Sequence, residues 1–374
     1  MKVMTILGTR PEIIRLSLII NKLDQLTEHT LVHTGQNYTP ELDTIFFQSM
    51  GIREPNVRFD SRSETPMGQI ARILESSERV LNEVKPDACL ILGDTNSGLS
   101  AIVAEKMGIP VFHMEAGNRC FDQRVPEEIN RKIVDHLSDI NMTLTEHARR
   151  YLIAEGIRAE TVIKTGSSMK EVLNYYRTKI DASDVLNRLG LDNGSFFIVS
   201  AHREENIDSE ENFNNLLESL NVIAETYKKR VIISTHPRTR KRLESIGASG
   251  FNKLIEFMKP LGFFDYVRLQ MCAYCAISDS GTITEESSIL GFPAITIRQA
   301  HERPEGMDEG TLIMAGLESK DVVDAINIVT GQWRDNNNVT RVVDDYDVDN
   351  VSQKVVRIIV SYIEYINRTV WKNY

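Results

Sequence analysis

The stretch Val3-Met4-Thr5-Ile6-Leu7-Gly8-Thr9-Arg10-Pro11-Glu12 begins with an apolar run that ends at a glycine and, soon after, a proline. The run predicts a buried strand over 3–8, because apolar and β-branched residues fill such strands. Gly8 permits a tight turn, and Pro11 suits the first turn of a helix. A buried strand that leads through a glycine turn into a helix is the first half of a βαβ unit.

Short apolar runs alternate with longer amphipathic stretches along the rest of the chain. This alternation is typical of βαβ units and a parallel sheet, so the predicted fold class is α/β. Twelve strands are predicted, which is too many for one doubly wound sheet of ordinary size, and we expect two sheets. The predicted strands are 3–8, 30–34, 88–93, 111–114, 140–144 and 161–165, followed by 196–200, 231–235, 254–257, 275–278, 294–297 and 312–314.

The length of 374 residues also favours two domains, since one hydrophobic core rarely serves so long a chain. A predicted strand ends in small residues at Gly166-Ser167-Ser168, and the domain boundary is predicted there. We expect an N-terminal Rossmann-like domain over 1–166 and a C-terminal Rossmann-like domain over 167–350. The C-terminal helix within 351–374 is expected to pack back on the first domain.

The composition limits the kinds of partner and compartment. A formal net charge of -10 argues against binding to nucleic acid or to anionic membranes, which need a positive field. No signal peptide and no run of about 20 apolar residues is recognisable. The four cysteines are scattered, and Cys272 and Cys275 form a lone CxxC without a second pair for zinc. We expect a cytoplasmic protein with packed, reduced thiols.

The turn after the first predicted strand carries a candidate phosphate contact. Arg10 lies beside the predicted helix N-terminus, where free backbone N–H groups favour an anion. We expect Arg10 to bind a pyrophosphate or to pair with nearby carboxylates, and an ordinary surface arginine is the alternative. The turn lacks the G-x-G-x-x-G fingerprint, so a tightly bound NAD is not predicted.

A second candidate anion site lies in the segment Ser278-Asp279-Ser280-Gly281-Thr282. Ser280 and Gly281 present hydroxyl and backbone N–H donors at a helix start, which suits a phosphate group. Glu285 and Glu286 follow one turn later and are candidates for accepting hydrogen bonds from ribose hydroxyls. A plain helix cap is the alternative. We expect the two turns to hold a diphosphate from both sides of an interdomain cleft.

Acidic residues follow the predicted strands of the first domain. Asp94 comes after the strand 88–93, Glu115 comes after 111–114, and Glu128 lies in the segment that follows. Because the carboxyl ends of parallel strands meet at one edge of a sheet, we expect these carboxylates to converge there. Carboxylates crowded in a cleft raise one another's pKa values, which suits proton transfer. Helix capping is the alternative for Asp94 taken alone.

The second domain places histidine and arginine residues after its own strands. His202 and Arg203 follow the strand 196–200, and we interpret them as contacts to a phosphate or a leaving group. His236 follows 231–235, with a structural role as the alternative, and Arg298 follows 294–297. No grouping of His, Cys and Asp has the spacing of a metal site, so no metal is predicted.

Taken in order, these motifs resemble the non-hydrolysing UDP-N-acetylglucosamine 2-epimerase family over nearly the whole chain. The resemblance implies a GT-B-like architecture, with two Rossmann-like domains facing a cleft, and a homodimer. The matching segments are Gly8–Glu12, Gly93-Asp94-Thr95, His113-Met114-Glu115-Ala116-Gly117, Pro126–Arg131, His202-Arg203-Glu204, Ser278–Gly281 with Glu285-Glu286, and Glu302-Arg303-Pro304-Glu305.

The resemblance also implies a reaction and roles for the matching positions. A proton leaves C2 of the sugar as UDP leaves C1, which gives a glycal with a C1–C2 double bond, and UDP then re-adds while a proton returns to the opposite face. The scheme needs neither metal nor NAD. The implied acid–base carboxylates are Asp94, Glu115 and Glu128, with His202 as a further catalytic contact. The implied UDP-binding positions are Arg10, Ser280, Gly281 and either Glu286 or its neighbour Glu285.

Two departures point to one branch of that family. The lysine usual in the D-glucosamine members is Arg15 here, and their Gln-His segment, linked to activation by a second substrate molecule, reads Gln36-Asn37-Tyr38. These segments, with 117–124, look like the branch that converts UDP-2-acetamido-2,6-dideoxy-L-talose to UDP-N-acetyl-L-fucosamine for capsule or O-antigen assembly. UDP-GlcNAc to UDP-ManNAc epimerisation is the alternative.

Three other kinds of protein share part of this description. A GT-B glycosyltransferase has the same fold and the same contacts to UDP, and a hydrolysing epimerase releases free sugar. A non-catalytic nucleotide-sugar sensor has no need of so many titratable groups. The three carboxylates of the first domain favour the epimerase over the glycosyltransferase, and the hydrolysing epimerase is the nearer alternative.

Overall fold

The structure is a computed structural model that describes residues 1–36, 44–247, 250–299, 303–336 and 341–372. Its contacts divide the chain into two compact units. The first consists of Met1–Asn174 together with Asp345–Tyr374, and the second of Tyr175–Asp344. Each unit contains one parallel sheet with helices, which confirms the predicted α/β class with two parallel sheets.

The first unit is built on a seven-stranded parallel sheet. Its central strands are fully buried and almost entirely apolar, as expected for strands that helices cover on both faces. Six of the seven were predicted; the short edge strand β3 was not, because two residues are too few to form a hydrophobic pattern. The order is β3-β2-β1-β4-β5-β6-β7, with β1 (Lys2–Leu7), β2 (Glu28–His33), β3 (Val57–Arg58), β4 (Ala88–Leu92), β5 (Val111–Ala116), β6 (Ile140–Thr143) and β7 (Val162–Lys164).

Two long helices of this unit begin at a proline in their first turn. Pro11 lies in the first turn of α1, and Thr65 caps α3 by accepting a hydrogen bond from the Gly68 N–H. The helices are α1 (Arg10–Leu26), α2 (Thr44–Met50), α3 (Pro66–Val84), α4 (Ala101–Lys106), α5 (Pro126–Leu137), α6 (Glu146–Ala154) and α7 (Met169–Tyr175), and a 3₁₀ turn at Asn96–Ser100 precedes α4.

The second unit repeats this plan with six parallel strands, all of which were predicted. The order is β10-β9-β8-β11-β12-β13, with β8 (Phe196–Ser200), β9 (Arg230–Ser234), β10 (Ile255–Met258), β11 (Cys275–Ser278), β12 (Ala294–Thr296) and β13 (Ile313–Met314). Its helices are α8 (Arg177–Asp181), α9 (Val185–Leu189), α10 (Glu204–Ile207), α11 (Glu210–Tyr227), α12 (Pro237–Ser245), α13 (Phe263–Cys272), α14 (Thr282–Leu290), α15 (Pro304–Asp308) and α16 (Ser319–Asn336).

The chain returns to the first unit through its last long helix, α17 (Val351–Ile366), which packs against α1. The first unit extends to Asn174, eight residues past the predicted boundary at Gly166. Two hydrogen bonds hold the intervening segment there: the Ser168 hydroxyl donates to the Arg15 carbonyl, and the Ser167 N–H donates to the Asp345 carbonyl.

Both sheets reverse their strand order at one point, between β1 and β4 in the first unit and between β8 and β11 in the second. Loops that leave the carboxyl ends of two such strands run in opposite directions and leave a crevice in which ligands bind. The candidate residues after β1, β4, β8 and β11 therefore lie beside the two switch points.

The structure also shows the state of the cysteines and the character of the helices. All four cysteines are buried and free, as predicted for Cys272 and Cys275. Burial raises the pKa of the Cys89 thiol to about 12, so it stays protonated at neutral pH. Within the described ranges, no helix is both long enough and apolar enough to cross a membrane.

The return of α17 to the first unit makes a testable prediction. Ile359 on this helix is fully buried, whereas its neighbour Val360 is 53% exposed. We expect Ile359→Ala to lower the free energy of unfolding of the first unit by about 2–4 kcal/mol, because it leaves a cavity in the core. We expect Val360→Ala to change it by less than about 0.5 kcal/mol. Urea unfolding followed by circular dichroism measures both, and equal effects would contradict the buried packing of α17.

Candidate active site

The turn between β1 and α1 has no room for a side chain at Gly8. A Cβ atom there would lie 2.1 Å from the Thr34 hydroxyl oxygen and 2.3 Å from that of Ser97. These two hydroxyls are hydrogen-bonded to each other at 2.7 Å, so the turn is packed tightly against its neighbours. Arg10 follows at the first position of α1, with its guanidinium carbon 5.7 Å from the centre of the Phe46 ring.

Glu12 holds this turn in place. Its carboxylate accepts hydrogen bonds from the Gly8 N–H at 2.6 Å and the Thr9 N–H at 2.7 Å. The Thr95 hydroxyl, in the loop after β4, donates to its other oxygen at 2.6 Å. Burial raises the pKa of Glu12 to about 7, against the opposing effect of these donors. Glu12 therefore joins the Arg10 turn to the Asp94 loop.

Arg131 on α5 joins two of the predicted carboxylates. Its Nε donates to Asp94 Oδ2 at 2.7 Å, and its Nη1 donates to Glu128 Oε2 at 2.9 Å. Asn130, next to it on the helix, donates its side-chain amide to the Asp94 carbonyl at 2.9 Å. One face of α5 thus fixes both the backbone and the carboxylate of Asp94, whose side chain remains 29% exposed.

Glu128 is fully buried at the start of α5. Its carboxylate accepts the backbone N–H groups of Cys120 at 3.1 Å and Phe121 at 3.2 Å. Burial would raise the pKa of Glu128, but the hydrogen bonds from Cys120 and Arg131 outweigh it and lower the pKa below its usual range. Glu128 is therefore ionised at neutral pH.

Glu115 is displayed by an irregularity at the end of β5. Its φ angle is +62°, a left-handed conformation that costs a non-glycine residue about 1–2 kcal/mol. The pairing of β5 with β6 shifts register between Met114 and Ala116, as at a β-bulge, and such bulges re-aim a side chain. The Glu115 carboxylate lies 3.5 Å from Arg15 Nε and accepts a hydrogen bond from Asn118 at 3.2 Å.

In the second unit, one buried carboxylate organises the turn after β8. Asp279 accepts the N–H groups of His202 and Arg203, each at 2.9 Å, and the side-chain amide of Asn206 at 3.1 Å. His202 Nδ1 lies 3.2 Å from the same carboxylate. Burial opposes ionisation, but His202 and the backbone donors outweigh it and lower the pKa of Asp279 to about 2. A permanent negative charge therefore anchors the turn that carries His202 and Arg203.

His236 lies beside this turn. Its ring centre is 6.1 Å from that of His202, and its Nδ1 accepts the N–H of Arg238 as the cap of α12. Because Nδ1 is an acceptor, Nε2 carries the ring's proton in the neutral form.

The segment 278–282 forms the predicted turn into α14. The Ser280 hydroxyl lies 3.1 Å from the Thr282 hydroxyl, and Gly281 caps the helix. Both glutamates that follow are buried and already have partners: Glu285 lies 3.5 Å from Arg303 Nη2, and Glu286 accepts from Gln270 at 2.6 Å. Arg298 is buried after β12.

The structure thus groups the predicted site residues by unit. The first unit brings together Arg10, Asp94, Glu115 and Glu128, and the second brings together His202, Arg203, His236, Ser280, Gly281, Glu285, Glu286 and Arg298 around its switch point. Asn37, Tyr38, His301 and Glu302 lie outside the described residues. Gln36 is described, and its side-chain oxygen accepts from the N–H of Ser97 at 3.2 Å.

Three residues that hold the site together were not predicted from the sequence. Glu12 had a signal, because Thr9 and Glu12 are spaced as in a capping box. Arg131 had one too, because it lies three residues after Glu128 on a helix. Asp279 directly follows β11, as Asp94 follows β4, but its partners are more than 70 positions away in the chain and its role could not be predicted. Among the described residues, no group of three His, Cys, Asp or Glu side chains is placed to hold a metal ion.

Comparison with known sequences identifies relatives of the whole chain. The family model described as UDP-N-acetylglucosamine 2-epimerase matches residues 21–360. A UDP-N-acetylglucosamine 2-epimerase of Methanocaldococcus jannaschii is 36% identical over 343 residues, which are 89% of this chain and 93% of the relative. A UDP-2,3-diacetamido-2,3-dideoxy-D-glucuronate 2-epimerase of Pseudomonas aeruginosa is 31% identical over 339 residues, with 89% and 93% of the two chains covered.

Solved structures give the same result. The structure of UDP-N-acetylglucosamine 2-epimerase from Rickettsia bellii superimposes on this chain with a TM-score of 0.93 at 52% sequence identity, and both chains are covered in full. That of the M. jannaschii UDP-GlcNAc 2-epimerase in complex with UDP-GlcNAc and UDP superimposes with a TM-score of 0.89 at 33% identity, covering 96% of this chain and all of the other. Since the family model and these relatives each match most of its length, the chain belongs to the UDP-N-acetylglucosamine 2-epimerase family of non-hydrolysing isomerases.

Proposed function

We propose that the protein inverts C2 of a UDP-N-acetylhexosamine by eliminating and re-adding UDP. The observation that carries the proposal is the set of carboxylates at the switch point of the first unit. Arg131 bridges Asp94 and Glu128 there, and a strained backbone displays Glu115 on the neighbouring strand. Proton transfer at carbon needs positioned carboxylates, and the relatives named as 2-epimerases support this reading.

The chemistry explains why several groups must act together. The C2–H bond is not next to a carbonyl, so removing its proton alone is very unfavourable. When a base takes that proton, the C–H electron pair forms the C1–C2 double bond and the C1–O bond breaks, with its electrons leaving on UDP. The return step adds a proton to the other face of C2 and UDP to C1. Neither step passes a hydride or an electron to another molecule, so the proposed scheme needs no nicotinamide, and it includes no metal.

Within the first unit the three carboxylates differ in their availability. The side chains of Asp94 and Glu115 are 29% and 16% exposed. Glu128 is buried: its Oε2 accepts from the Cys120 N–H and from Arg131, and its Oε1 accepts from the Phe121 N–H. We therefore assign proton transfer to Asp94 and Glu115. Glu128 supplies a fixed negative charge that holds Arg131 against Asp94.

The second unit supplies donors suited to the leaving diphosphate. His202 and Arg203 lie on the turn that Asp279 holds, and the ring centre of His236 lies 6.1 Å from that of His202. The Ser280-Gly281 turn begins α14, where backbone N–H groups favour phosphate oxygens. We assign Arg10, Arg203, His236, Ser280, Gly281 and Arg298 to the phosphates, and Glu285 or Glu286 to the ribose. Hydrogen bonds from these donors strengthen as negative charge develops on the leaving group, which accelerates its departure.

The sugar that we propose is UDP-2-acetamido-2,6-dideoxy-L-talose, with UDP-N-acetyl-L-fucosamine as product for capsule or O-antigen. Arg15 supports this choice because it stands where the D-glucosamine members are expected to have lysine, and it lies 3.5 Å from the Glu115 carboxylate. UDP-GlcNAc is the alternative substrate. The M. jannaschii enzyme was solved in complex with UDP-GlcNAc and UDP, whereas the P. aeruginosa relative is named for a diacetamido glucuronate, so relatives in this family are named for different sugars.

We also propose that the protein acts in the cytoplasm as a homodimer, as the family resemblance implies. Light scattering of the purified protein tests the dimer. Activity that survives EDTA treatment without added NAD tests the cofactor-free scheme.

Incubation in D₂O tests the proposed reaction. UDP-GlcNAc and UDP-2-acetamido-2,6-dideoxy-L-talose are incubated separately with the protein, and C2 is followed by NMR. Reversible deuterium incorporation at C2 in intact UDP-sugar is the expected result, faster for the 6-deoxy-L-sugar. Release of free sugar would indicate a hydrolysing epimerase, and transfer to an added acceptor would indicate a glycosyltransferase. Absence of exchange with every UDP-N-acetylhexosamine would overturn the proposal.

Asp94→Asn is the first predicted variant. It removes the proton-accepting charge while the amide can still contact Arg131, so we expect C2 exchange to fall by about 10³-fold or more. UDP affinity measured by calorimetry should change by less than about threefold, because the diphosphate contacts remain. Asp60→Asn is the matched control, since Asp60 also pairs with an arginine, Arg62, but is exposed. Unchanged exchange in Asp94→Asn would refute its role.

Arg15→Lys tests the choice of sugar. Lysine carries a compact ammonium group where arginine carries a planar guanidinium. The substitution therefore keeps the positive charge beside Glu115 but changes the shape of the site there. We expect the ratio of kcat/KM for the 6-deoxy-L-sugar to that for UDP-GlcNAc to fall by about tenfold. The exposed Arg150→Lys serves as the control. A ratio that does not move would show that Arg15 does not select the sugar.

Asp279→Asn tests the anchor of the leaving-group turn. In this variant a neutral asparagine amide replaces the charged carboxylate that accepts from two backbone N–H groups and lies beside His202. The turn is then held less firmly, so we expect UDP affinity to fall by about tenfold. Because the pKa of Asp279 is lowered, its stabilisation is present above pH 3.8 and is lost as the pH falls through about 2. That stabilisation amounts to about 2 kcal/mol.

Two measurements check this expectation. Calorimetric titration with UDP compares Asp279→Asn with Asp184→Asn, whose carboxylate lies on the surface of the same unit. Urea unfolding at pH 5 and pH 2 should show a larger loss of stability in the wild type than in Asp279→Asn. Equal losses would contradict the lowered pKa.

A further inference from the structure

His113 lies in β5, in the core of the first unit and next to both carboxylate-bearing turns. It is 1% exposed. Its Nε2 is 2.8 Å from the carbonyl oxygen of Gly93, the residue before Asp94. Its Nδ1 is 2.9 Å from Oδ1 of Asp135 on α5. No role in substrate binding or proton transfer falls to His113 in the proposed reaction.

The two oxygens around the ring decide its protonation state. A neutral histidine has one N–H and one lone pair. If the lone pair were on Nε2 it would face the Gly93 carbonyl, and if it were on Nδ1 it would face the Asp135 carboxylate. Each arrangement puts two electron-rich atoms less than 3 Å apart. Burial opposes the ionisation of Asp135, but His113 and Arg119 outweigh it and lower the pKa of Asp135, which stays ionised. Beside an ionised Asp135 only the imidazolium donates at both ends. The two oxygens therefore favour a buried cation at His113.

The surrounding charges are consistent with a cation at this position. Asp135 also accepts from Arg119 Nη1 at 2.7 Å, and Arg119 forms a two-pronged pair with Glu155 on α6. With His113 protonated, these four side chains carry two positive and two negative charges. Burial opposes the charge on the ring, but Asp135, the Gly93 carbonyl and Asp94 outweigh it, and the pKa of His113 is raised.

The same ion pair controls the geometry of both turns. On one side, β5 holds Gly93 twice: the His113 ring binds its carbonyl, and the Met114 carbonyl accepts its N–H at 2.9 Å. On the other side, Asp135 accepts the N–H of Gly117 at 3.1 Å, two residues after Glu115. Gly117 has a φ of +81°, and a Cβ there would lie 2.5 Å from the Ala148 carbonyl oxygen, so only glycine fits at this position.

We propose that the buried His113–Asp135 ion pair is a positioning device that sets Asp94 and Glu115 for proton transfer. The assignment of Asp94 and Glu115 rests on the proposed epimerase function. A histidine that only fills the core would contribute to stability and leave the turnover of the folded enzyme unchanged. The two roles therefore differ in what they do to kcat.

His113→Gln provides the test, because glutamine can donate to one oxygen but carries no charge. We expect kcat for C2 exchange to fall by about 10–100-fold, since small displacements of catalytic groups cost that much. KM and the affinity for UDP should stay within about threefold of the wild type. His136→Gln is the matched control: His136 contacts Glu155 at the outer end of the same network and is half-exposed. It should retain the wild-type kcat.

A second measurement does not depend on the substrate. The ¹⁵N chemical shifts of the His113 ring should be those of an imidazolium at pH 7.5, above the ordinary histidine pKa of about 6.5. Because folding raises the pKa of His113, its charge stabilises the folded protein. This stabilisation is fully present below pH 6.5 and is lost as the pH rises through the pKa of His113 in the folded state. The difference in unfolding free energy between wild type and His113→Gln should therefore narrow as the pH rises.

The outcomes separate the two proposals. Neutral-imidazole shifts for His113 at pH 7.5, or a wild-type kcat in a folded His113→Gln enzyme, would overturn the positioning role. If His113→Gln does not fold, Asp135→Asn replaces it. Loss of the imidazolium shifts together with a lower kcat supports the positioning role. Imidazolium shifts that persist, or a kcat equal to that of the wild type, refute it. If the wild type exchanges no sugar, the epimerase proposal fails while the chemical shifts still decide the charge on His113.

Discussion

Backbone N–H groups at the carboxyl ends of parallel strands need acceptors, and in this protein buried carboxylates supply them. Glu12 accepts from the turn after β1, Asp135 and Glu128 accept from the segment after β5, and Asp279 accepts from the turn after β8. A buried carboxylate is costly unless such donors surround it. The segments after β1, β5 and β8, which carry Arg10, Glu115 and His202, therefore depend on buried carboxylates.

These carboxylates also divide by charge state. Glu128, Asp135 and Asp279 have their pKa values lowered because donors and cations outweigh burial, so they hold a constant charge. Glu12 is different, since burial raises its pKa to about 7. Asp94 and Glu115, to which we assign proton transfer, are the carboxylates that remain partly exposed. In the proposed site, Glu128, Asp135 and Asp279 thus keep a fixed charge while the exposed pair exchanges protons.

Much of the fold was predictable because its strands are short, apolar and bounded by glycine or polar residues. The strand β3 was missed because two residues carry no pattern, and the first unit extends past Gly166 because Ser168 is tied to Arg15, a contact that spans 153 positions. Asp94, Glu115 and His202 were found because site residues follow strands. Asp279 and Asp135 were not assigned roles, since a residue that acts through partners remote in sequence leaves no local signal.

The crossing of α17 back to the first unit has a consequence for synthesis on the ribosome. Strands β1 to β7 emerge first, yet the helix that covers α1 is made only after the whole second unit. Until then the nascent first unit exposes the apolar face that Ile359 and its neighbours later cover. The second unit, whose segment is continuous, can fold as it leaves the exit tunnel. We therefore expect the order of folding to be opposite to the order of translation, with the chain's last turns of helix completing its first domain.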